Sequence, residues 1–146
     1  MAVDVLTETV IDRPRDVVAS FAGDPSNAPK WYVNIKSVEW KTPPPMMLGS
    51  KMAFVASFLG LRLEYTYEIV ELVPGERLVQ RTQEGPFPME TTYTWEALDE
   101  NRTRMTLRNR GEPSGFAKIG AGAMELAMRR ANRKDLATLK SILERG

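Results

Sequence analysis

Met89-Glu-Thr-Thr-Tyr-Thr-Trp-Glu-Ala-Leu98 and Arg102-Thr-Arg-Met-Thr-Leu-Arg-Asn-Arg110, separated by Asp99-Glu-Asn101, decide the fold of this chain. Bulky apolar or mildly polar side chains alternate with charged ones in both runs, and successive strand residues point to opposite faces. A three-residue loop sets Leu98 opposite Arg102, Trp95 opposite Met105, Tyr93 opposite Leu107 and Thr91 opposite Asn109. On the other face Glu96 then meets Arg104 and Glu90 meets Arg110. Opposite charges directly across a strand pair support that register. The stretch predicts an antiparallel hairpin with one apolar face. Its arginine stripe, Arg102, Arg104, Arg108 and Arg110, belongs to solvent.

The same alternation runs upstream, where Leu63, Tyr65, Tyr67 and Ile69 share a face. Strands are predicted over 3–11, 33–41, 51–59, 61–73, 76–84, 87–98 and 102–110, bounded by turn signals at Gly60, Pro74-Gly75 and Gly85-Pro86. Two short helices are expected between the first two strands. Pro14 opens one with the stripe Val17, Val18, Phe21 and Ala22, and Gly23 ends it. Asp24-Pro25 starts the other, with Asp24 as N-cap, and it runs to about Trp31. Three prolines make 42–49 a loop. A long closing helix is expected over 114–145. The fold class is α+β: a seven-stranded curved antiparallel sheet wrapped around a long C-terminal helix, in one domain over 1–146.

Composition narrows the function. The chain has 146 residues, 42 % hydrophobic and 27 % charged, with net charge +1. That balance offers no field for nucleic acid. No apolar run reaches the ~18–20 residues that span a bilayer, so stable membrane insertion is not expected. Cysteine and histidine are both absent. Thiolate nucleophiles, the commonest near-neutral base and the commonest metal ligand are therefore excluded. No metal and no organic cofactor are expected. The N-terminus reads as a strand and not as a signal peptide, and the expected location is the cytoplasm.

The stretches Ile11-Asp-Arg-Pro-Arg-Asp-Val-Val18, Gly23-Asp-Pro25 followed by Trp31, Glu71-Leu-Val-Pro-Gly-Glu-Arg-Leu78 and the closing helix resemble the START-like helix-grip superfamily. That superfamily includes the Bet v 1-like allergens, lipid-transfer START domains and the bacterial polyketide cyclase/dehydratase group. The resemblance covers nearly the whole chain. It implies a ligand held between the curved sheet and the C-terminal helix, without naming the ligand.

The candidate ligand-binding residues are Trp31, Phe54, Tyr65, Tyr67, Met89, Thr91, Tyr93, Trp95, Met105, Asn109, Phe116 and Met124. Aromatic and thioether walls with a few placed hydroxyls and amides suit a small apolar molecule. The competing reading of the same residues is a solid core. Tyr65, Tyr67, Thr91, Tyr93 and Asn109 either orient a ligand or bond to one another, and Gln80 and Thr82 are further candidates. Gln80 or Arg81 faces inward according to the register of strand 76–84. No catalytic residue is assigned. Glu64, Glu68, Glu90 and Glu96 fall on the outer face, and Glu71 has inner parity near a rim.

Three features of the helix and one loop stay open at this level. Gly120 and Gly122 imply either a yielding gate or close approach of the helix to the sheet. The stripe Phe116, Ile119, Ala123 and Ala127 falls out of phase with Leu136, Leu139 and Leu143, which predicts a bend near Arg133-Lys134 or a second packing surface. Arg129-Arg130-Asn132-Arg133-Lys134 reads as a solvated basic face. Met46-Met47-Leu48 reads as a lid or a subunit contact. The expected function is binding or transport of a small hydrophobic or amphipathic ligand such as a lipid, isoprenoid or polyketide-like aromatic, by a monomer or homodimer. The alternatives are a polyketide cyclase/dehydratase-type enzyme and a protein-interaction module.

Overall fold

The computed structural model describes residues 3–85, 88–112 and 120–145. Its elements are β1 (Val3–Ile11), α1 (Arg15–Ala22), a 3-10 turn (Pro25–Asn27), α2 (Ala28–Trp31), β2 (Ile35–Trp40), β3 (Lys51–Phe58), β4 (Leu61–Val73), β5 (Arg77–Glu84), β6 (Met89–Asp99), β7 (Arg102–Gly111) and α3 (Ala121–Arg145). The strands form one antiparallel sheet in the order β1-β7-β6-β5-β4-β3-β2. It curves into a half-barrel, and α3 lies against β1 and α2. This is the α+β helix-grip architecture expected from the sequence.

The β6–β7 register follows the cross-strand pairs. Trp95 faces Met105, Tyr93 faces Leu107, Thr91 faces Asn109, and Glu96 faces Arg104. The turn differs. Asp99 pairs with Arg102 and Leu98 is bulged, so the loop holds Glu100 and Asn101. The Asp99 carboxylate accepts from the Asn101 backbone N–H at 2.8 Å and from Arg102 Nε at 2.7 Å, and these bonds draw it into the pairing.

Two breaks in register, between Thr66 and Tyr67 and between Ile69 and Glu71, bend β4. The second reverses the alternation. Leu72 therefore turns onto the core, and Glu71 turns outward to accept from Arg77 Nε at 3.0 Å. The inner parity expected of Glu71 is thus overturned. β2 starts later than expected because the Val33 amide donates to Asp135 Oδ1, at 3.0 Å, and leaves the ladder.

The closing helix begins at Ala121, with Gly120 ahead of it. A Cβ placed on Gly120 or Gly122 would meet nothing within 4 Å, so close approach to the sheet does not explain these glycines. The helix also keeps one continuous inner stripe. Met124, Asn132, Asp135, Leu136, Leu139 and Leu143 are buried, with Met128 half-buried between them, whereas Ala123 is exposed. Its two halves nevertheless meet different surfaces, as the second of the two expectations had it: Met124 packs with Val3, Val5 and Leu63, whereas Leu136, Leu139 and Leu143 join the core that includes Val18, Ala22, Ala28 and Trp31 of the short helices. Arg130, Arg133 and Lys134 are exposed, but Asn132 is buried and does not belong to the basic face.

Candidate functional site

A cavity of about 140 Å³ opens between the concave face of the sheet and α3. It exists because α3 rests on β1 and α2, at one side of the half-barrel. The inner face is not filled solid. Phe54, Tyr65, Tyr67, Met89, Thr91, Tyr93, Asn109 and Met124 all border this space. The Phe54 and Tyr65 rings stack at 5.5 Å, and Tyr67 meets Tyr65 edge-on at 5.1 Å. These contacts hold the aromatic wall upright.

Trp31, Trp95 and Met105 are placed differently. They are buried but do not border the cavity. α1 packs over β6 and fills that end of the half-barrel, where the Trp95 indole lies 3.4 Å from the position of a Cβ on Gly23. Trp95 borders a separate groove beside α1, together with Met46. Met46 is thus not a lid on the main cavity, and Met47 and Leu48 are exposed. Phe116 and Ile119 lie outside the described residues.

The β5 register places Gln80 inward and buried at the cavity wall. Arg81 turns outward and donates to Glu90 at 2.7 Å. Arg110 also donates to Glu90, at 2.6 Å. Burial would raise the Glu90 carboxyl, but the two guanidinium groups hold it below its ordinary value.

The inner hydroxyls form two distinct systems. Thr91 donates to Asn109 Oδ1 at 2.6 Å, so Tyr67, 2.8 Å away, must donate to Thr91. That chain uses up the Tyr67 proton. Burial pushes the Tyr67 phenol up to about 12, against the opposing Thr91 bond. The Tyr32 and Tyr93 hydroxyls lie 2.6 Å apart. Gln80 is a further hydrogen-bond partner of the Tyr93 hydroxyl. Burial raises both phenols well above the ordinary value, with the neighbouring Asp135 charge adding to the effect.

Asn132 and Asp135 complete the lining from the helix side. Asn132 is 4 % and Asp135 1 % exposed. Burial lifts the Asp135 carboxyl from 3.8 to about 6, although the Val33 N–H and the Lys134 charge oppose the shift. The Asn132 amide nitrogen is buried without a partner among the described residues. Sequence reading missed Tyr32, Asn132 and Asp135. The available signal was the spacing Met124, Met128, Asn132, Asp135, Leu139, which keeps one helical face if polar residues are admitted to it.

Among the described residues no group of acidic side chains is arranged to hold a metal, and no helix is long and apolar enough to cross a membrane.

Residues 2–144 match the family model described as polyketide cyclase / dehydrase and lipid transport. The chain is similar to the ZhuI aromatase/cyclase from Streptomyces sp. R1128, with 19% identity over 99% of this chain and 95% of that one and a TM-score of 0.79. It is similar to a START superfamily protein from Mycobacterium smegmatis, with 13% identity, 97% of each chain covered and a TM-score of 0.83. It is also similar to the major latex-like protein 151 of Panax ginseng, with 14% identity, 96% of each chain covered and a TM-score of 0.71. These likenesses establish the shared fold. No curated protein matches the chain in sequence.

Proposed function

The chain belongs to the polyketide cyclase/dehydrase and lipid transport family, and on that premise we propose that it binds a small hydrophobic or amphipathic molecule between its sheet and α3. The carrying observation is the cavity itself, walled by aromatic rings and methionines beside a few hydroxyl, amide and carboxyl groups. Sites of that make-up favour apolar ligands whose orientation is set by few polar contacts. Ala131 is half-buried on α3 and borders the cavity. Ala131→Trp fills the space from the wall. Binding of the uncharged dye Nile red is expected to fall at least about tenfold while the circular dichroism spectrum stays native. Unchanged dye affinity in a folded variant would sink the proposal.

A second reading, cyclase or dehydratase chemistry on a polyketide-like substrate, is favoured by one observation. Asp135 is a buried carboxyl raised to about 6, close to the Tyr32–Tyr93 pair. A group titrating near neutrality serves as base or acid, and a phenol O–H beside it polarises a carbonyl. Conversion of a linear poly-β-ketone to a cyclic product, lost in Asp135→Asn, would decide for it. No conversion by the intact protein would leave the binding reading alone.

A further inference from the structure

Asn132 and Asp135 stand three residues apart on α3, so they share its inner face, one turn of helix from each other. Apolar residues flank them on that face: Met128 before, Leu136 and Leu139 after. An apolar pair at these two positions would cost nothing in desolvation, whereas a buried amide and carboxyl do. Such departures from core patterning concentrate where function requires them.

Their bonding is incomplete in complementary ways. Asn132 has an N–H group without an acceptor among the described residues. Asp135 accepts one hydrogen bond, from the Val33 amide to Oδ1. No cationic side chain forms an ion pair with it among the described residues, and Lys134 beside it is exposed. The other groups that influence the carboxyl region are phenols, those of Tyr32 and Tyr93.

We propose that Asn132 and Asp135 select the ligand's head group: a neutral one that accepts from Asn132 and donates to Asp135, such as a hydroxyl beside a ketone, and never a carboxylate. This rests on the container reading of the cavity. An ammonium head would satisfy Asp135 but offers Asn132 no acceptor. A carboxylate offers acceptors but places like charges together in a low-dielectric space. A wholly apolar ligand leaves both side chains unsatisfied.

Three aromatic ketones and hydrocarbons of one shape test this by titration calorimetry at pH 8: meta-hydroxybenzophenone, meta-benzyltoluene and meta-benzoylbenzoate. The intact protein is expected to bind the hydroxy ketone about tenfold more tightly than the hydrocarbon, and the carboxylate more weakly than both. Asn132→Leu is expected to abolish the preference over the hydrocarbon. Asp135→Asn is expected to admit the carboxylate. Equal binding of the hydroxy ketone and the hydrocarbon by the intact protein overturns this inference, whatever the variants do, and leaves the container reading standing. Unaltered preferences in both folded variants overturn it as well. Binding of none of the three overturns the container reading and this inference together.

Discussion

Asp135→Asn keeps an acceptor for the Val33 amide while removing a charge that burial disfavours. The folded carboxyl titrates at about 6 and the unfolded one near 3.8, so the folded state holds the proton more tightly. The stability that this proton contributes is complete below the unfolded value and is lost as pH rises through about 6. The asparagine variant is therefore expected to be more stable than the wild type at pH 8, by up to about 3 kcal/mol, and equal to it near pH 4. Urea unfolding at the two pH values checks this, and an equal difference at both would contradict it. Tyr93→Phe removes the hydroxyl that bonds Tyr32 at 2.6 Å and is expected to cost about 1 kcal/mol in the same assay. Tyr93 was legible in the sequence because a strand alternates plainly. Asp135 was not, because hydropathy assigns a carboxylate to the outside and nothing local announces the cavity that receives it.

α3 carries the packing that closes the molecule. Leu139 is fully buried in the main core, and Leu139→Ala is expected to cost about 2–5 kcal/mol, read from the midpoint of denaturant unfolding. A loss under about 1 kcal/mol would show that α3 docks loosely. The helix was easy to foresee and its inner face was not, since an apolar count passes through Ala123 and Ala127 and rejects a stripe that holds Asn132 and Asp135. β6 and β7 show the opposite case. Their pairs Glu96–Arg104 and Glu90–Arg110 fixed the register from sequence, and only the Asp99 side chain, by capturing the turn, shifted its last step. The break in β4 near Val70 has no glycine or proline to signal it, so the change of parity at Glu71 was not foreseeable, although its nearness to the Pro74-Gly75 turn already pointed to an exposed rim charge.

The outer face as a whole is a lattice of exposed ion pairs, including Arg104 with Glu96 and Arg108 with Asp4. Such pairs are individually weak in water. Arg104→Ala is expected to change stability by less than about 1 kcal/mol, whereas Glu90→Gln, at a side chain only 16% exposed and bonded to two arginines, is expected to cost more. Thermal melts of the two variants at pH 7 rank them, and equal losses would show that burial of Glu90 adds nothing. The sheet order joins β1 to β7, pairing Val5 with Asn109, while β2 through β7 meet in sequence as neighbours. A ribosome thus delivers the first strand about a hundred residues before its partner, and contacts of that span are slow to form. The helix that covers the concave side follows every strand in the chain. The cover of the bowl is thus the last element of the chain, and the sheet beneath it is complete in sequence before that cover begins.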